Sequence, residues 1–120
     1  VIDGSSSPPD LSEDQRRAGS QRAALMRNRR AALRAQVSSG EATPAEIIAL
    51  AEDGDEAARG LPVFRLITAV PGCGPVLATR LLSELSIPAN RRIGGLSPVH
   101  AIQLIAILRH TARSPRVQRG

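Results

Sequence analysis

The stretch Val70-Pro71-Gly72-Cys73-Gly74-Pro75 limits what this chain can fold into more than any other. An apolar run (Leu66, Ile67, Val70) leads into it, and a second (Val76, Leu77, Ala78) leaves it. Pro71 drives the residue before it out of the α region, so one helix must end there. Pro75 suits the first position of the next helix, where a missing N–H costs nothing. The two glycines between them permit a tight turn, because positive φ carries little steric cost for glycine. Such a turn leaves backbone N–H groups pointing outward at a helix N-terminus, an arrangement that suits a phosphate. It is equally a plain corner between two helices. Cys73 reads as a small apolar plug between those helices rather than as a nucleophile.

The remaining segments are also helical in pattern. Residues 1–11 are small, polar and interrupted by Pro8-Pro9, which predicts a disordered segment. Ser12-Glu13-Asp14-Gln15 is a capping box that opens a long Ala/Arg-rich helix over 12–39, with Leu25, Met26, Leu33 and Val37 on a weak apolar face. Thr43-Pro44-Ala45-Glu46 is a second capping box and starts a short helix that runs to about Glu52. Glu52, Asp53, Asp55 and Glu56 lack the spacing of a calcium loop and read as a solvated acidic linker. The central pair of helices is expected from Leu61 or Pro62 to Val70 and from Pro75 to Leu85. An aperiodic segment, 86–96, follows. Ser97-Pro98 then caps a last helix to about His110, apolar nearly all round and therefore expected to pack on more than one side. The end, 113–120, reads as a basic flexible tail. The fold class is all-α, with a helical domain over 43–112.

Charge narrows the function. All 16 basic residues are Arg, so no Lys is present to form a Schiff base. Arg instead offers a rigid donor fork that matches phosphates and narrow minor grooves. The signs are segregated: residues 1–39 carry +3, residues 40–60 carry −5, and residues 61–120 carry +7. On the long helix, Arg16, Arg27, Arg30 and Arg34 fall on one side and Arg22 and Arg29 on another. A basic helix of this kind can lie across a nucleic-acid backbone or present ordinary solvated charge. The single Cys rules out an internal disulfide and a Cys-rich zinc site. His100 and His110 read as surface or satisfied residues, and no metal or cofactor is expected. No apolar run is long enough to span a membrane, which predicts a cytoplasmic protein. Phe64 is the one aromatic residue, which argues against a reader of single-stranded RNA.

Pro-Gly-apolar-Gly, three residues, then Ala78 resembles the helix-hairpin-helix motif. A helix, this hairpin, a second helix, a long turn holding Arg91-Arg92 and a third helix together resemble the helix-two-turn-helix domain of some ribosomal and DNA-repair proteins. Within that group the chain is most similar to the actinobacterial integration host factor family. The likeness covers about residues 11–109 and rests on Leu11-Ser-Glu-Asp-Gln-Arg16, Val70-Pro-Gly-Cys-Gly74, Ser83-Glu-Leu-Ser-Ile87 and Arg91-Arg-Ile-Gly-Gly-Leu96.

The resemblance implies a non-enzymatic, largely sequence-independent binder of duplex DNA in the nucleoid, acting on the phosphate backbone and minor groove and bending or compacting the duplex. It implies contacts from Gly72, Cys73 and Gly74 of the hairpin and from Asn90, Arg91 and Arg92 of the second turn, with the N-terminal helix, including Arg22, Arg29 and Arg30, as a lid. It also implies a monomer that serves phage integrase or other nucleoprotein complexes. Two places depart from the family pattern: Gly94 stands where a third basic residue is usual, and Pro75 and Leu77 stand where Lys or Arg often follows the hairpin. Arg80, one turn on, can restore part of that charge. A structured-RNA binder and a protein-interaction module that has lost nucleic acid are the alternatives. The repair enzymes of this fold use zinc ligands and an N-terminal nucleophile that find no match in this sequence.

Overall fold

A computed structural model of the chain describes residues 13–119, with side chains described through residue 110. The expected disorder of residues 1–11 and the Ser12 cap lie outside the described residues. Among the described residues six α-helices follow one another: α1 Glu13–Ser39, α2 Pro44–Glu52, α3 Glu56–Gly60, α4 Val63–Ala69, α5 Pro75–Glu84 and α6 Pro98–Arg119, with a 3₁₀ turn at Ile93–Gly95 between the last two. Among the described residues there is no strand, as an all-α fold requires.

The core is built around α4. Val63, Leu66 and Ile67 on that helix are fully buried, together with Leu61 just before it and Leu104 on α6. α4 is only seven residues long. A helix so short has little stability of its own, and burial of its apolar face holds it together. α1 and α5 pack against α4, while α2 packs against α3 and α6. On α1 the apolar contact is confined to its C-terminal half, where Val37 is buried and Leu33 is half-buried. Leu25 is 51% exposed, because at 100° per residue it lies well off the face shared by Met26, Leu33 and Val37.

Helix ends follow the sequence signals closely. Thr43 Oγ1 accepts from the Glu46 N–H at 3.1 Å, and Glu46 Oε1 accepts from the Thr43 N–H at 2.8 Å, completing the capping box of α2. The C-termini of α2 and α5 share one device. After α2, Gly54 (φ 99°) lets its N–H reach the Ala51 carbonyl and the Asp55 N–H reach that of Leu50. After α5, Ser86 adopts φ 60°, and the N–H groups of Ser86 and Ile87 reach Ser83 and Leu82. Both are Schellman ends, and at α5 the burial of Ile87 and Leu82 adds the apolar contact that often accompanies one.

Three expectations are corrected. The acidic stretch is not a solvated linker. Asp55 caps a further helix, α3, through a 2.9 Å bond from the Ala58 N–H to its Oδ2, and the Schellman turn at Gly54 aims the chain into that helix. Through residue 110, α6 packs one side against the core: Ala101, Leu104 and Leu108 are buried, while Val99 and Ile102 are 62% and 69% exposed. Those buried positions repeat at i, i+3 and i+7, so they form one stripe despite the apolar residues elsewhere on the helix. α6 also runs on to Arg119, with Pro115 inside it, through the segment expected to be a tail.

α1 is tied to α3 by two ion pairs. Arg29 Nη2 donates to Asp55 Oδ1 at 2.9 Å, and Arg22 Nη2 donates to Glu56 Oε1 at 2.5 Å. Asp55 thus caps α3 with one oxygen and holds α1 with the other. Asp55→Ala should lower the free energy of unfolding by about 1–2 kcal/mol, the usual cost of losing a cap. Arg29→Ala removes only the exposed pair and should cost under about 1 kcal/mol. Chemical denaturation of the two variants measures the difference, and equal losses would show that the cap contributes nothing.

Candidate nucleic-acid interface

The hairpin turns as its sequence requires, but its two glycines do different work. Gly72 has φ 89°, a backbone state that side-chain-bearing residues rarely adopt. Gly74 is extended, with φ −93° and ψ −179°, and a Cβ placed on it would meet nothing within 4 Å. The fold therefore requires glycine at 72 and leaves position 74 unconstrained. Cys73 is buried, 5% exposed, and burial pushes its thiol pKa up, away from the reactive thiolate. Its N–H donates to the Val70 carbonyl at 3.0 Å, so Cys73 shapes the turn and offers no donor of its own.

α5 starts at this turn with Gly74 as its N-cap, no capping side chain and no acid in the first turn. The N–H groups of Gly74, Val76 and Leu77 are the ones that a helix cannot satisfy internally, and Pro75 has none. The starts of α2, α3, α4 and α6 are closed. Thr43 caps α2, Asp55 caps α3, the Ser97 hydroxyl accepts from the His100 N–H at 3.1 Å on α6, and the first N–H of α4 donates to Arg91. The hairpin also faces an open concavity of about 440 Å³, walled by Thr68, Val70, Gly72, Gly74 and, from α1, Ser38. Ser38 is fixed there by a 2.9 Å hydrogen bond from its hydroxyl to the Ala69 carbonyl.

The second turn is clamped to the other end of α4. Val63 N–H donates to the Arg91 carbonyl at 2.9 Å, and Ile93 N–H donates to the Leu61 carbonyl at 2.9 Å. Arg91 Nη1 donates to the Gly95 carbonyl at 2.8 Å, and Arg92 Nη1 donates to the Gly60 carbonyl. Each bond uses one of five guanidinium N–H donors and fixes the direction of the rest. Asn90 is exposed at the tip of this turn. With one turn at each end, the seven residues of α4 set the two sites about 10 Å apart at 1.5 Å per residue.

The other expected residues divide. Arg80 is exposed on α5, one turn beyond Val76 and on the same face, so it extends the hairpin site. Arg30 is half-buried on α1 beside Gly60, and therefore beside the second turn. Arg22 and Arg29 are directed at Glu56 and Asp55 instead, as their shared side of α1 allows. Helix α3, which carries Arg59, is not legible as a helix in the sequence; Asp55 ahead of Ala57 and Ala58 is its one cap signal. Among the described residues no group of His, Cys, Asp and Glu is placed to hold a metal ion, and no helix is long and apolar enough to cross a membrane.

The hairpin glycines give a direct check on this assignment. Gly72→Ala should destabilise the fold by roughly 1–2 kcal/mol because alanine must enter the left-handed region. Gly74→Ala should change stability by no more than about 0.5 kcal/mol, since a slightly worse cap is offset by a stiffer unfolded chain. Thermal unfolding of both variants measures this, and equal losses would contradict the separation of roles.

Comparison with known proteins agrees with the fold. The model of the S13-like H2TH domain family matches residues 37–108. The integration host factor of Mycobacterium tuberculosis is 34% identical over 88 residues, spanning 73% of this chain and 83% of that protein. That of Streptomyces coelicolor is 31% identical, spanning 73% and 81%. The structure of sIHF bound to an 8-base-pair palindromic DNA superposes with a TM-score of 0.70 at 25% identity, covering 73% of this chain and 98% of that one. With three of the four segments that carried the resemblance lying inside the matched domain, this chain belongs to the integration host factor family of S13-like H2TH proteins.

Proposed function

We propose that this chain is a non-enzymatic architectural protein of the nucleoid that grips duplex DNA by its backbone through two turns set at opposite ends of α4. The observation that carries this reading is the pairing of an uncapped helix N-terminus at Gly74 with the braced arginines of the second turn. Its support is a scaffold shared with a protein solved on DNA. The hairpin supplies uncharged N–H donors together with the positive end of the α5 dipole. The second turn supplies Arg91 and Arg92 as fixed forks, with Asn90 beside them. A separation of about 10 Å lets the two turns meet the backbones on either side of a minor groove about 6 Å wide.

These donors are backbone amides, guanidinium groups and the Asn90 side-chain amide, all suited to phosphate oxygens, so the binding is largely independent of sequence, with preferences arising from how readily the duplex deforms. α1 acts as the lid. Arg30 joins the contacts directly, whereas Arg22 and Arg29 hold the lid through α3 and reach DNA only by exchanging a carboxylate for a phosphate. The protein acts as a monomer, and the bend it imposes serves larger assemblies such as phage integrase complexes.

Affinity for several unrelated duplexes across a range of salt concentrations tests this. Neutralising about four to six phosphates gives log K against log salt a slope of roughly −4 to −5, similar for every sequence. Arg91→Ala with Arg92→Ala should weaken binding to all sequences alike and flatten the slope. Gly74→Ala should weaken binding with stability preserved, because its methyl group stands where the backbone of the duplex must approach. A preference for folded RNA over duplex of equal length, or no binding at low salt, would overturn the reading.

A further inference from the structure

The second turn has no basic side chain at position 94, and the packing around that glycine shows why. A Cβ on Gly94 would lie 3.0 Å from Arg59 Cβ, 3.2 Å from Arg59 Cζ and 3.2 Å from the Arg59 carbonyl oxygen. The φ of Gly94 is not in the left-handed region, so the glycine is there for close approach and not for its backbone state. What approaches is the side chain of Arg59, whose guanidinium carbon rests over the turn.

Other guanidinium groups meet at the same place. Arg92 donates to the Gly60 carbonyl, and a Cβ on Gly60 would lie 3.3 Å from Arg30 Nη1. Arg30 from α1, Arg59 from α3 and Arg92 from the second turn therefore converge on Gly60 and Gly94, two glycines that leave room for them. The nearby acids are engaged elsewhere: Asp55 holds Arg29 and Glu56 holds Arg22. Among the described residues the side chains of Arg30 and Arg59 have neither an ion pair nor a hydrogen bond. Like charges gathered without a counterion are unfavourable in the free protein, and an anion held among them removes that cost.

We propose that Arg59, seated against Gly94, is a third arginine of the second-turn site and contacts a DNA phosphate together with Arg92 and Arg30. This rests on the duplex-binding reading and adds to it a residue from α3, a helix that lies outside both turns. The charge missing at position 94 is thus supplied across space by residue 59.

The test compares Arg59→Ala with Arg17→Ala in the full chain, measuring duplex affinity against salt and the melting temperature. The two variants lose the same net charge, but Arg17 pairs with Asp14 and Glu13 at the far end of α1. Arg59 is exposed and sits among like charges, so alanine there should leave the melting temperature unchanged or slightly raised. The expected result is a salt slope shallower by about 0.9 for Arg59→Ala, the share of one phosphate, with Arg17→Ala like the parent. Arg59→Lys should recover part of the slope. If both alanine variants match a parent that binds DNA, the Arg59 assignment is wrong while the duplex-binding reading stands. A parent that binds no duplex removes both.

Discussion

Two backbone hydrogen bonds, Val63 N–H to the Arg91 carbonyl and Ile93 N–H to the Leu61 carbonyl, fix the geometry on which the rest of the molecule depends. They join segments thirty residues apart in an antiparallel bridge, Pro62 against Arg92, in a chain otherwise made of helices. Leu61, Val63 and Ile93 are buried beneath it. Water cannot satisfy buried amides, so the bridge is retained wherever this core is packed. Its consequence is positional. The second turn is pinned to the start of α4 and the hairpin grows from its end, so a short helix with one buried face becomes the spacer between two surfaces that carry donors.

The distribution of charge follows from the same scaffold. Net charge understates how basic the exposed face is, because Asp55 and Glu56 are occupied by arginines of α1 and are withdrawn from the second turn. The pairing also orients α1: its Arg22–Arg29 side is held to α3, which brings Arg30 to Gly60. Exposed pairs of this kind contribute little to stability, and their value here is one of direction. At the hairpin the electrostatics are of another kind. α5 begins without a capping side chain while Thr43, Asp55 and Ser97 close the starts of α2, α3 and α6. Leaving those donors open costs the free protein some stability and keeps a site ready for an anion.

Much of this was legible in the sequence because it is encoded locally. Proline, glycine and capping residues act within four or five positions, so the boundaries of α2, the hairpin and the start of α6 could be read directly. α3 was hidden because a five-residue helix has no period to detect, and its acids suggested solvent rather than a cap. The exposure of Val99 and Ile102 could not be read either, since an apolar helix does not announce which stripe its neighbours will cover. The candidate site divides along the same line. The hairpin glycines and Arg91-Arg92 are contiguous motifs and were recognised. The convergence of Arg30 and Arg59 on Gly60 and Gly94 depends on tertiary packing, and glycines retained for close approach look in sequence like glycines retained for a turn.

One titration tests the two-turn arrangement most directly: the ¹⁵N-labelled chain with a short duplex, followed amide by amide by NMR. The two-turn arrangement predicts that Gly74, Val76 and Leu77 shift together with Asn90, Arg91 and Arg92, at the same protein-to-DNA ratio, while the exposed Val99 and Ile102 face of α6 stays still. Shifts confined to α6, or to one turn without the other, would contradict it.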